Sequence, residues 1–80
     1  MDATLNVLVV PFSNGWAVEC DGVCERLTFL SGARAELQAR KFAIALSRAG
    51  SDALVQVHDR MHEIVGTGLY FAMAELEPAI

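Results

Sequence analysis

The chain has 80 residues, 54% of them hydrophobic, and a formal net charge of −4. That length allows one core, and the apolar excess, with a mean hydropathy of +0.37, excludes disorder. The acidic balance argues against generic nucleic-acid binding, which needs surplus Lys and Arg, while leaving a local basic patch open.

In chain order, Leu5–Val10 is apolar and β-branched and reads as a first strand closed by Pro11. It is too short for a signal or a membrane span, and Met1-Asp2-Ala3-Thr4 is not a cationic leader, so a cytoplasmic protein with no membrane contact is expected. Ser13-Asn14-Gly15 follows as a hairpin turn, Asn-Gly supplying the positive φ angles that tight hairpins need. Trp16, Val18 and Cys20 alternate with Ala17 and Glu19, the period of a half-buried strand. Trp16 reads as a core anchor facing Phe42 or Leu46. Asp21–Cys24 links this strand to a third, Arg26–Leu30.

Ser31 is placed to cap a helix running from Gly32 to Ala49, and Gly50 to end it in the left-handed conformation. Ala35, Ala39, Phe42, Leu46 and Ala49 form the predicted sheet-facing stripe, with Leu37 and Ile44 on its flank. Glu36 and Arg40 make an i, i+4 pair in the favourable order. Four of the six cationic residues (Arg34, Arg40, Lys41, Arg48) stand in this helix against one acid, so the helix carries a surplus of three positive charges and the rest of the chain seven negative. Arg34, Lys41 and Arg48 are therefore candidates for binding an anionic partner, nucleic acid included. A solvated helix face is the plainer account of the same residues.

Ala53–His58 reads as a fourth strand, Asp59–His62 as a polar turn, and Glu63–Gly68 as a fifth strand weakened by Gly66 and Gly68. The tail admits two readings. Leu69, Phe71 and Met73 alternate as in a strand, whereas Ala72–Glu77 suits a helix; Pro78 stops either. Residues 1–80 thus form a single α+β domain: a small antiparallel sheet in β-β-β-α-β-β order with one long helix packed on one face. Because one helix covers only one side, the apolar run Leu69, Tyr70, Phe71, Met73 within a dimerising segment 69–77 is the expected self-association site, its partner a second copy or another protein.

Val10-Pro11, Gly15-Trp16-Ala17-Val18, Gly22, the alanine-rich helix and Val55-Gln56-Val57-His58-Asp59-Arg60 resemble the DUF2188 family, short bacterial proteins of unknown function. The resemblance covers about Val7 to Val65 and implies the same β-β-β-α-β-β order. Where that family usually has a glycine, in the turn after the histidine-containing strand, this chain has Met61-His62. No catalytic residue comes with the resemblance.

Cys20, Cys24, His58 and His62 have zinc-like spacings within each pair, but 33 residues separate Cys24 from His58. Two turn-flanking cysteines and two hairpin histidines describe them more simply. His58, Asp59, His62 and Glu63 cluster in one turn and could form an acid–base pair. No nucleophile-plus-base motif or phosphate-binding loop accompanies them. The expectation is a noncatalytic domain without a cofactor or catalytic residues.

Overall fold

Alternation of apolar residues, two tight turns and one capped helix give five strands and a helix in the computed structural model, which describes residues 4–22 and 25–73. The elements are β1 (Leu5–Phe12), β2 (Gly15–Cys20), β3 (Leu27–Phe29), α1 (Gly32–Arg48), β4 (Ala53–His58) and β5 (Ile64–Tyr70). They form one sheet in the order β3-β2-β1-β4-β5, with α1 packed on one face. The α+β class and the element order are those expected from the sequence.

One pairing departs from the antiparallel expectation. β1 and β2, β2 and β3, and β4 and β5 are antiparallel, but the central β1–β4 pair is parallel, with Leu5 opposite Ala53 and Val9 opposite Val57. The helix is the cause. It starts beside the Trp16 end of β2, crosses the sheet, and delivers the chain to the beginning of β1, where the Leu5 amide donates to the Asp52 carbonyl at 2.9 Å. A strand entering there runs alongside β1 in the same direction. The crossover through a helix is how parallel neighbours are ordinarily joined.

The hairpin between β1 and β2 also differs in detail. β1 continues through Pro11 to Phe12. The cost of the missing N–H is avoided because the β4 pairing of β1 ends at Val9, leaving that side of Pro11 without a ladder partner. The turn residues are Ser13 and Asn14, and the positive φ (56°) falls on Ser13 rather than on Asn14-Gly15. Gly15 is needed for another reason: a Cβ there would collide with the Phe29 carbonyl of β3.

α1 is capped as read, the Ser31 hydroxyl accepting from the Arg34 amide at 3.3 Å, and Gly50 takes φ 99°. Its buried stripe, however, is Ala35, Ala39, Ala43 and Ser47, with Phe42 and Leu46 packed at the side. Ala49 is exposed, and Leu37 and Ile44 face away from the sheet instead of flanking the stripe. Four small residues spaced by four bring the helix backbone close to the fully buried valines Val7, Val9, Val18 and Val55, a contact that a Phe or Leu in the stripe would prevent. Trp16 sits at the N-terminal end of the helix, not against Phe42 or Leu46: its ring lies 3.2 Å from where a Cβ on Gly32 would be.

Candidate functional site: the uncovered face of the sheet

Strand alternation sorts every sheet residue to one of two faces. The register puts Val7, Val9, Val18, Cys20, Ala53, Val55, Val57 and Tyr70 under the helix. The other face carries Leu8, Val10 and Phe12 from β1, Leu54 and Gln56 from β4, and Thr67 and Leu69 from β5. A bulge opposite His58 adds Ile64 and Val65 at its rim. No helix or second sheet among the described residues lies over this face; Leu8, Val10 and Leu54 are half-buried among their neighbours, and Ile64, Val65 and Leu69 are half or more exposed.

At the Leu8 end the face is bordered by Glu19, Asp21, Glu25 and Arg26, of which Glu19 and Arg26 form an ion pair. Arg26 Nε donates to Glu19 Oε2 at 2.9 Å, and the Arg26 guanidinium lies 4.6 Å from the centre of the Phe12 ring. That side chain spans β2 from Glu19 towards the Phe12–Gly15 end, and Ala17, between the two in register, is fully buried although it faces away from the helix.

The segment expected to self-associate does not act as one surface. β5 extends to Tyr70, so Leu69 belongs to the uncovered face, while Tyr70 turns to the helix side, where its hydroxyl accepts from Arg40 Nη1 at 3.3 Å. Phe71 and Met73 lie past the strand and are tied to the end of α1: the buried Ser47 hydroxyl donates to the Phe71 carbonyl (3.0 Å), the Met73 amide to the Ser47 carbonyl (2.9 Å), and the Ala72 amide to Asp52 Oδ1 (2.7 Å). Residues 74–77 of the expected dimerising segment lie outside the described residues. Leu8, Val10, Leu54, Ile64 and Val65 were missed in the sequence, though β1 signals them: Leu8 and Val10 are as apolar as Val7 and Val9, with which they alternate.

Among the described metal candidates, His58 and His62 share the β4–β5 turn, but Cys20 stands apart from them. Cys20 is on the helix face at the start of β1, and His58 follows Val57 at the opposite end and on the other face. Cys24 lies outside the described residues, among which no cluster of three or more Cys, His, Asp or Glu occurs. Burial, and then the neighbouring Asp21 charge, push the Cys20 thiol above its ordinary value, which makes it a poor nucleophile. In the β4–β5 turn, His58 Nδ1–H donates to the Val9 carbonyl at 3.1 Å. Asp59 Oδ1 accepts the amides of Met61 (2.8 Å) and Glu63 (3.0 Å), which hold its carboxyl below the usual range. His62 takes φ 63°, the left-handed conformation for which a glycine would be the usual residue. The His58 ring and the Asp59 carboxylate are thus committed to shaping the turn. Arg60 ties it to the neighbouring hairpin, donating to the Gly15 and Ser13 carbonyls at 2.5 and 3.2 Å with its guanidinium 5.0 Å from the Trp16 ring centre.

Arg34, Lys41 and Arg48 are all exposed on α1. Arg40 is instead engaged by Glu36 at 2.6 Å and by Tyr70, which raise its pKa above the ordinary arginine value. No helix among the described residues is long and apolar enough to cross a membrane. Neither a family model, a curated protein nor a solved structure matches the chain.

Proposed function

We propose that this chain is a noncatalytic, self-associating interaction module of the cytoplasm, akin to DUF2188 proteins, whose uncovered sheet face packs on the same face of a second copy. The observation that carries the reading is the apolar surface formed by Leu8, Val10, Phe12, Leu54, Ile64, Val65 and Leu69, over which no second layer lies among the described residues. A largely apolar face can pack isologously on the same face of a second copy about a two-fold axis. Two such sheets stack at about 10 Å, giving a four-layer arrangement with the helices outermost.

The size of the face fits. Five strands about 4.8 Å apart and roughly six residues long, at about 3.3 Å each, span some 24 by 20 Å. A corrugated surface of that footprint offers on the order of 700 Å² of accessible area, close to the ~800 Å² per partner of standard interfaces. Small cores often need this kind of support.

The outer edge of β5 is also unpaired among the described residues, so edge pairing is the competing geometry. Leu8 lies on the central strand, away from both edges, and separates the two. In size-exclusion chromatography with light scattering, Leu8→Lys should yield a folded monomer. A dimer that survives Leu8→Lys but is lost on introducing proline at Thr67 would replace face stacking by edge pairing.

A further inference from the structure

The outer side of α1 carries a pattern that neither the core nor the dimer uses. Arg34, Leu37, Lys41, Ile44 and Arg48 step alternately by three and four, so at 100° per residue they fall within an arc of about 80°. The centre of that arc is about 160° from the centre of the buried stripe Ala35, Ala39, Ala43 and Ser47, making it the outermost ridge of the molecule on this side. All five side chains are exposed, including the two aliphatic ones, Leu37 at 55% and Ile44 at 37%. Among the described residues, the charged side-chain groups of Arg34, Lys41 and Arg48 make no hydrogen bond or ion pair, Arg34 being held only through its backbone amide by Ser31. The only acid of the helix, Glu36, points to a different side and holds Arg40.

We infer that this ridge docks an acidic amphipathic helix of a partner protein. Alternating cationic and aliphatic residues at three-and-four spacing over four turns form the seam that a second helix with Glu or Asp and Leu at the same spacing complements, aliphatic side chains interlocking between ion pairs. A nucleic-acid backbone would use the three cations and leave Leu37 and Ile44 without a role. A bilayer needs a broad apolar face, usually with Trp or Phe, and this ridge offers two aliphatic side chains flanked by charge. The ridge faces away from the sheet, so the inference stands whether or not the sheets stack.

The test uses the full chain, both unaltered and as Leu8→Lys, titrated against a fluorescein-labelled designed helix with Glu and Leu on one face, its Glu→Gln counterpart, a generic DNA duplex, and vesicles of mixed phosphatidylcholine and phosphatidylserine. The acidic helix should bind both forms of the protein and at least about tenfold more tightly than its Glu→Gln counterpart, with affinity falling as salt rises. Lys41→Glu should weaken binding by about tenfold, and the double change Leu37→Ala, Ile44→Ala by roughly fivefold, with circular dichroism unchanged. The inference is overturned if the acidic helix fails to bind, if Leu37→Ala, Ile44→Ala has no effect on its binding, or if duplex or vesicles bind more tightly than it does.

Discussion

The two faces of the sheet are made of the same kinds of residues and have opposite fates. Under α1, Val7, Val9, Val18 and Val55 are fully buried against a stripe of alanines ending in Ser47. On the other face, Leu8, Val10 and Leu54 alternate with those valines, and Ile64, Val65 and Leu69 extend the apolar surface towards the edge, with no layer over them among the described residues. A strand that is apolar at nearly every position belongs, in most sheets, to a layer covered on both sides. β1 has that composition with cover on one side, and the difference between the faces is what points to a second copy.

The comparison can be broken from the covered side first. Ala39 is fully buried in the core between helix and sheet, and Ala39→Leu should cost about 3 kcal/mol in urea unfolding, since the added methylenes have no room. Thr67→Leu adds comparable bulk on the uncovered face and should change monomer stability by less than about 0.5 kcal/mol. Equal costs would mean that the helix is not close-packed on the sheet. Ser47→Ala removes the donor to the Phe71 carbonyl and should cost about 1 kcal/mol, with faster hydrogen exchange at the Met73 amide.

Smaller effects are expected at the β4–β5 turn, which joins the faces at one end. His62→Gly relieves a left-handed backbone conformation and should raise stability by about 0.5–1 kcal/mol, seen as a higher Tm. The smallest effect concerns pH. The amides of Glu63 and Met61 lower the Asp59 carboxyl from its ordinary 3.8. Its folded value is below its unfolded one, so its contribution is present above the unfolded value and lost as pH falls through the folded one. Asp59→Asn should therefore flatten the acid limb of the stability profile below about pH 4 and leave the neutral region nearly unchanged.

Much of the fold was legible because it rests on local signals. The Ser31 cap, the Gly50 terminator, the alternation in β2 and the apolar period of β4 all act within a few residues. The parallel pairing of β1 and β4 was not legible, because it depends on where the helix ends in space. The buried stripe was misplaced by hydrophobicity: Phe42 and Leu46 outrank Ala43 and Ser47 on any apolar scale, but close approach to valines selects small side chains. The candidate interface was half legible. Leu69 was found from its apolar neighbours, yet Tyr70 alternates to the helix side and Phe71 and Met73 are held by the end of α1, while Leu8 and Val10 stand in an apolar run whose two faces only the strand pairing separates.

The central claim, that the bare face is an interface between copies, is tested most directly by sedimentation velocity of the unaltered chain across a dilution series into the high micromolar range. A face-to-face dimer gives a species of twice the 8.7 kDa chain mass that dissociates on dilution. A folded protein that sediments at the single-chain mass throughout the series would contradict it.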